Sequence, residues 1–195
     1  MRNPHALSIR APISGGQALA LAPILLGAGA IEWLMGRPPI CTCGTVKLWT
    51  GDAFGPENSQ MLSDWYSLSH VVHGLLLYGA LWLVARRWPA GWRLVAAALI
   101  EAAWEVLENS PIIIERYRST TAALGYTGDS ILNSLSDLTA MMIGFGLARV
   151  LPGAWPWALG LALELISLAA IRDNLTLNVL MLVSPVEAIR VWQGG

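Results

Sequence analysis

The stretch WRLVAAALIEAAWEVLENS, residues 92–110, is apolar enough to enter a bilayer but carries three glutamates. On an α-helix the spacings of Glu101, Glu105 and Glu108 place all three carboxylates on one face. A charged group at the centre of a membrane costs about 2.5 kcal/mol or more, so such a face rarely contacts lipid. The stretch therefore predicts a membrane helix whose acidic face is turned towards other helices.

The composition indicates a polytopic membrane protein. Of the 195 residues, 55% are hydrophobic and only 13% are charged, whereas about a quarter of the residues in an average soluble domain are charged. The net charge of −1 provides no basic surface for nucleic acid. We expect an all-α bundle of five or six membrane spans, at about 20 residues each. It would form a single integral membrane domain over residues 1–195, with membrane lipids as partners and a homo-oligomer left open.

Apolar runs and turn residues divide the chain into spans and polar segments. Spans are predicted at residues 17–35, 65–85, 94–108, 130–151 and 154–171. The polar segments are residues 1–16, 36–64 and 109–128. Pro111 is expected to end the third span, and Asp129 is expected to cap the fourth. The tail after Ile171 has too few apolar residues for a full span, so it predicts a broken sixth helix or an interfacial one.

The arginines predict the orientation, because positively charged loops stay on the cytoplasmic side. In an alternating topology one side of the membrane receives Arg2, Arg10, Arg86, Arg87, Arg93 and Arg149. We therefore expect a bacterial inner-membrane protein with a cytoplasmic N-terminus and periplasmic loops at residues 36–64 and 109–128. Arg116 and Arg118 oppose this orientation, but the cytoplasmic count is larger.

The same topology brings polar residues from four helices to the periplasmic face. They are His70, His73, Glu105, Glu108, Asp129, Asn133, Arg172 and Asp173. Three further carboxyl groups are expected deeper, near the middle of their spans: Glu101, Asp137 and Glu164. The sequence therefore predicts a polar pocket that opens to the periplasm.

The pair His70 and His73 suggests a metal site. At the i, i+3 spacing both neutral imidazoles can bind one metal or relay a proton. The glutamate face needs either protonation or a compensating cation, which could be a metal, a protonated histidine or Arg172. Imidazole and carboxylate ligands together suit Zn²⁺, Fe²⁺ or Mn²⁺. The alternative is a hydrogen-bonded network that only packs the helices.

A metal-dependent enzyme is one hypothesis, in which the metal activates water for hydrolysis or transfer on a lipid or envelope substrate. Its metal ligands would be His70, His73, Glu105 and Asp137. Glu108 or Asp129 would be the general base, and Arg172 would hold an anionic headgroup. Alternatively, the deep carboxyl groups favour a small ion or metal carrier, and the cluster could also join helices in a non-catalytic membrane assembly partner.

The two cysteines lie in the run PPICTCGTVKLW. In an extended strand Cys41 and Cys43 are too close for easy disulfide closure, and a metal site usually needs more Cys or His nearby. We expect two ordinary loop thiols, with thiolate ligation or redox use as the alternative.

Five runs carry a resemblance to a known family: GRPPICTCG, DWYSLSHVVHG, WEVLENSPIIIERYR, GYTGDSILNSLSD and IRDNLTLNVLM. They resemble an uncharacterised family of bacterial inner-membrane proteins, domain of unknown function 2585. The resemblance covers nearly the whole chain and implies a multi-pass membrane protein, but no activity. A fainter similarity is to VanZ-like membrane proteins, which place D-x-x-x-N-x-x-G on one span. Asp137 and Gly144 fit that pattern, but Met141 occupies the Asn position.

The orientation can be tested with fusions to a reporter that is active only in the periplasm. A fusion after Gly55 should be active, and a fusion after Ala90 should be inactive, because the arginines hold the second position in the cytoplasm. The opposite pattern would invert the topology and move the polar pocket to the cytoplasmic face.

Overall fold

The computed structural model describes residues 13–194, and all regular secondary structure in this range is α-helical. The helices are α1 (Gly15–Leu19), α2 (Leu21–Leu34), α3 (Trp65–Val84), α4 (Ala90–Glu108), α5 (Pro111–Thr120), α6 (Ile131–Val150), α7 (Trp155–Ile171), α8 (Leu175–Val183) and α9 (Glu187–Gly194). The predicted all-α class is therefore confirmed. Most of the predicted N-terminal segment, with Arg2 and Arg10, lies outside the described residues.

Helix length and composition support fewer membrane spans than the five or six that were predicted. Among the described residues, Gly15–Leu34, α3 and α6 are long and apolar enough to cross a membrane. A fourth span is added if α7 and α8, which are bent by 74° relative to each other, count as one. The 19-residue α4 is of similar length, but it carries Arg93 and the three glutamates. The predicted five or six spans are thus an approximation.

Helices α3 and α6 pack with their backbones in contact. A Cβ atom on Gly74 would lie 2.0 Å from the carbonyl oxygen of Met141, and one on Gly144 would lie 2.0 Å from that of Val71. Small residues allow this close approach in membrane helices. Because His70 lies about one turn from Gly74 and Asp137 about two turns from Gly144, both side chains reach the α3–α6 interface.

Helix α4 completes the centre of the bundle by packing against α2, α3 and α6. Its apolar contacts include Ala97 and Ala98, which join a buried cluster with Leu138 and Met141 of α6. The acidic face of α4 is buried as predicted, with Glu101 only 2% exposed. Packing between helices therefore removes most of this face from lipid.

Two predicted helix boundaries need correction. The N-cap of α6 is Ser130, whose Oγ accepts from the backbone N–H of Asn133 at 3.2 Å, so the predicted cap Asp129 lies one residue too early. Pro111 does follow the end of α4, but it also begins α5, with Ser110 as N-cap. A proline suits the first turn of a helix because it lacks an N–H. The predicted loop at residues 109–128 therefore contains a ten-residue helix.

Helix α7 ends at Arg172, which adopts a left-handed conformation with φ of 56° and separates α7 from α8. Glu164 stabilises the new helix start. Its carboxylate accepts from the backbone N–H groups of Leu175 and Thr176 at 3.0 Å each and from the Thr176 hydroxyl at 2.6 Å. The tail after this bend consists of α8 and α9, and Glu164 caps the start of α8. The predicted alternatives, a broken sixth helix or an interfacial one, stay predictions.

The segment 36–64 contains no helix or strand, in agreement with its composition. The prediction of two free thiols there is wrong, because Cys41 and Cys43 form a disulfide. A turn rather than an extended strand brings their Cα atoms to 5.1 Å, with the Gly44 N–H bonded to the Cys41 carbonyl at 3.0 Å.

Side chains of this segment reach the start of α6. Arg37 donates to the carbonyl oxygens of Asp129 at 2.9 Å and Thr127 at 2.7 Å. Gln60 donates to the carbonyl of Gly128 at 2.8 Å. The long loop therefore fixes the position of Asp129.

The α3–α6 contact predicts that Gly144→Ala destabilises the bundle. The added methyl group would overlap the carbonyl of Val71, and overpacking of this kind costs about 1–3 kcal/mol. Thermal unfolding in mild detergent would measure the effect. Gly146→Ala is the matched control on the same helix, because a Cβ there has nothing within 4 Å. Equal melting temperatures for the two variants would contradict the importance of the contact.

Candidate functional site

Two histidines of α3 share one carboxylate of α4. The Nδ1 atoms of His70 and His73 each lie 2.7 Å from Oε1 of Glu101. The prediction that Glu101 lies deeper than the histidines is therefore wrong, because its carboxylate contacts both of them. Helices α3 and α4 are antiparallel, and both His73 and Glu101 lie about two turns from the same end of the pair.

Glu105 is buried completely, with an exposed fraction of 0%, and neither of its carboxylate oxygens has a hydrogen-bond partner. Its Oε1 lies 3.3 Å from Nδ1 of His70. Buried polar groups are normally hydrogen-bonded, because a group without a partner loses its hydration and receives nothing in return. Glu105 is therefore arranged to receive a cation or a donor.

Asp137 of α6 lies on the opposite side of His70. Its Oδ2 is 3.9 Å from Nε2 of His70, and its Oδ1 accepts from the Ser67 hydroxyl at 2.8 Å. The imidazole of His70 thus lies between Asp137 and the glutamates of α4.

Two groups of side chains in the described part of the chain could hold a metal ion. In each, the ligand atoms lie within 4.8 Å of one another. One group is His70, His73 and Glu101, and the other is His70, Glu105 and Glu108. The predicted ligands His70, His73 and Glu105 all occur in these groups, and Asp137 adjoins the shared member His70.

An open cavity lies beside this cluster. It collects side chains from the two polar loops and from the ends of several helices. Its charged and aromatic lining consists of His70, Glu108, Asp129, Asp137, Asp173, Phe54, Tyr66, Tyr117 and Tyr126. Four of the predicted site residues therefore line one space: His70, Glu108, Asp129 and Asp137.

The cavity wall contains three tyrosines that sequence reasoning missed. The hydroxyl of Tyr66 donates to Asp173 at 3.1 Å, and that of Tyr126 donates to Asp129 at 2.9 Å. The hydroxyl of Tyr117 donates to Oδ1 of Asn178 at 2.9 Å. Their positions in the sequence could have indicated this, because all three lie in or next to the predicted outer loops.

Asp129 is held at the start of α6 by Asn109, another residue that sequence reasoning missed. Asn109 donates to Oδ2 of Asp129 at 2.9 Å and accepts from its backbone N–H at 2.7 Å. Burial raises the pKa of the Asp129 carboxyl, and the hydrogen bonds from Tyr126 and Asn109 oppose that rise. Proton exchange at Asp129 is thereby moved to higher pH than for an exposed aspartate.

Two other predicted site residues lie elsewhere. Arg172 is exposed, and its Nη1 donates to the carbonyl oxygen of Trp192 at 3.1 Å. It is absent from the lining of the cavity beside the cluster. Asn133 donates to the carbonyl of Met61 at 2.9 Å and so fastens the long loop.

A second cavity reaches the cluster from another side. It shares Tyr66, His70, Glu108, Tyr117 and Asn178 with the first cavity. Its remaining wall is more apolar and includes Trp104, Leu175 and Val179, of which Val179 is 48% exposed. The cluster therefore lies between a polar cavity and an apolar one.

The shared carboxylate predicts a large stability loss for Glu101→Gln. The amide cannot accept from two imidazoles as strongly, and breaking a buried ionic contact costs about 3 kcal/mol or more. Thermal unfolding in detergent would measure this loss. Glu115→Gln, whose side chain is 73% exposed, is the control and should change stability by less than about 0.5 kcal/mol. A melting temperature for Glu101→Gln as high as that of the control would mean that Glu101 fills space only.

Residues 32–195 match the family model described as Protein of unknown function (DUF2585). Several relatives named UPF0314 protein are similar over most of their length. The one from Novosphingobium aromaticivorans is 55% identical over 185 residues, covering 92% of this chain and 90% of the relative. The one from Paracoccus denitrificans is 55% identical over 172 residues, covering 88% and 89%. No solved structure matches the chain.

Proposed function

The chain belongs to the DUF2585 family, whose description states no activity, and from its geometry we propose a metal-dependent membrane enzyme of the bacterial inner membrane. In this proposal His70, Glu105 and Glu108 hold a divalent ion of the Zn²⁺, Fe²⁺ or Mn²⁺ class. The reaction is hydrolysis or transfer on a lipid or envelope substrate, and the polar cavity opens to the periplasm.

The observation that carries the proposal is the buried, unpartnered carboxylate of Glu105. A purely structural network would satisfy this group with a donor, yet both of its oxygens lack one. A divalent cation would satisfy it, together with Glu108 and an imidazole nitrogen, a ligand set that suits these metals. The positive charge of the ion would then compensate the repulsion between the like charges of Glu105 and Glu108.

Glu101 and His73 have a supporting role in this proposal. Glu101 already receives both imidazoles at 2.7 Å, so it is satisfied without an ion. A carboxylate on one imidazole nitrogen fixes the ring and its tautomer, and it raises the basicity of the ligand. We assign Glu101 to the orientation of His70, and His73 to the anchoring of Glu101.

The bound ion would lower the pKa of a coordinated water, which is the usual contribution of such a metal to hydrolysis. The chain itself would supply the proton acceptor. We assign this role to Asp137, which faces the cavity and retains one oxygen, Oδ2, that accepts no hydrogen bond from Ser67. Asp129 is less suitable because Tyr126 and Asn109 occupy both of its oxygens.

An amphipathic substrate fits the two cavities. The apolar cavity with Trp104, Leu175 and Val179 could take an acyl or isoprenoid chain, and the polar cavity could take the headgroup. Because both cavities reach His70 and Glu108, the bond between chain and headgroup would lie beside the proposed ion. This arrangement supports a lipid rather than a soluble substrate.

A carrier is the weaker alternative. It depends on free carboxyl groups deep in the bundle, but Glu164 caps α8 and Glu101 is bound by two histidines. Asp137 alone would remain for transport. A non-catalytic assembly role leaves the unpartnered Glu105 without an explanation.

Metal analysis of the protein purified in mild detergent tests the proposal. The unmodified chain should contain about one divalent ion per chain. Glu105→Gln should lose that ion and should fail to complement a deletion strain while it still folds, because an amide is a poor ligand. Glu32→Gln is the matched control, since Glu32 is another fully buried carboxylate without a hydrogen bond and lies outside both metal groups.

Two outcomes would contradict the proposal. One is a folded, unmodified protein that binds no metal after incubation with each ion. The other is full complementation by Glu105→Gln, which would leave the carboxylate without a catalytic role.

A further inference from the structure

The polar cavity is rich in hydrogen-bond acceptors and poor in free donors. Each tyrosine hydroxyl on its wall already donates its single proton, to Asp173, Asn178 or Asp129. A tyrosine oxygen keeps lone pairs after donating, so each of these hydroxyls can still accept. The tyrosines therefore present acceptors to a ligand.

The charges on the wall have one sign apart from His70. The carboxylates are those of Glu108, Asp129, Asp137 and Asp173. Among the described residues, no lysine or arginine lines the cavity. A divalent ion at the proposed metal site would still leave three of these carboxylates on the wall. An anionic headgroup would be repelled here, and the exposed Arg172 is not placed to compensate it.

Gln193 points to a ligand independently of the charges. It is 95% buried, and its Nε2 donates to Asp173 at 3.0 Å, which fixes the orientation of the amide. Gln193 is one of the residues that line the cavity, and its Oε1 has no hydrogen-bond partner. Asn58, on the same wall, likewise has an Oδ1 without a partner. The unsatisfied atoms of both amides are therefore acceptors.

We propose that this cavity binds the primary ammonium group of the substrate. The inference rests on the proposed function and names its substrate class, an amphiphile with an amine-bearing headgroup. An ammonium group offers three N–H donors and no acceptor. It therefore complements tyrosine oxygens, free amide oxygens and carboxylates at once. Hydrogen bonds from a charged donor are about twice as strong as neutral ones.

Binding of small amines to the full-length, metal-loaded protein in detergent tests the inference by calorimetry. Ethanolamine should bind, and choline should bind at least tenfold more weakly, because it carries the same charge but no N–H donor. Glycerol and acetate should not compete. Equal affinity for ethanolamine and choline, or no binding of ethanolamine, would overturn the inference.

Gln193→Leu removes the free acceptor at similar side-chain volume. It should weaken ethanolamine binding about tenfold and leave the metal content unchanged. Glu187→Gln is the control on the same helix α9, because Glu187 is exposed and pairs with Arg190 at 2.7 Å. Identical ethanolamine affinities for the two variants would overturn the assignment. The ethanolamine–choline comparison remains decisive if Gln193→Leu does not fold.

Lipid nanodiscs distinguish a lipid from a soluble amine as the source of the ammonium group. If the substrate is a lipid, nanodiscs of phosphatidylethanolamine should abolish the binding of free ethanolamine, and nanodiscs of phosphatidylcholine should not. If it is a soluble amine, both should leave the binding intact. Metal analysis of the same samples separates this inference from the proposed function. If the protein binds ethanolamine but contains no metal, the inference is supported and the proposed function is not. If it contains metal but does not bind ethanolamine, the inference is overturned and the proposed function stands.

Discussion

The backbone contact between α3 and α6 is the constraint on which the rest of the arrangement depends. Gly74 and Gly144 let each helix touch a carbonyl group of the other. His70 lies about one turn from Gly74 and Asp137 about two turns from Gly144, so both residues lie on the helix faces that meet. His70 of α3 and Asp137 of α6 are therefore directed into the bundle. The glycines create a polar centre, although neither carries a functional group.

Helix α4 supplies the opposite wall of that centre, and its charges explain why it is buried. A helix with four charged residues is a poor candidate for contact with lipid, so its acidic face packs on α3 and α6. The electrostatic cost is reduced unevenly. Glu101 is contacted by two imidazoles at 2.7 Å, whereas Glu105 has only His70 at 3.3 Å. The same helix thus contains a structural carboxylate and one that remains available.

Much of this arrangement follows from the sequence, because helical periodicity determines which residues share a face. The histidine pair, the acidic face of α4 and their meeting were all predictable. Periodicity does not determine how far one helix is displaced along another, and for that reason the depth of Glu101 was assigned wrongly. Loop conformation is equally hidden, since the turn at Cys41 and the position of Tyr126 depend on local hydrogen bonds of non-helical backbone, which periodicity does not describe.

The buried carboxylates differ in how completely the fold supplies them with hydrogen bonds. Glu164 accepts from the start of α8, and Asp129 accepts from Tyr126 and Asn109. Both have an architectural use that explains their burial. Glu32 has no hydrogen bond of good geometry but lies beside the Ser134 hydroxyl, a donor that a small rotation brings into reach. Glu105 has only the imidazole of His70 beside it, with Nδ1 at 3.3 Å and no hydrogen bond formed, so the fold satisfies this carboxylate less completely than Glu164 or Asp129.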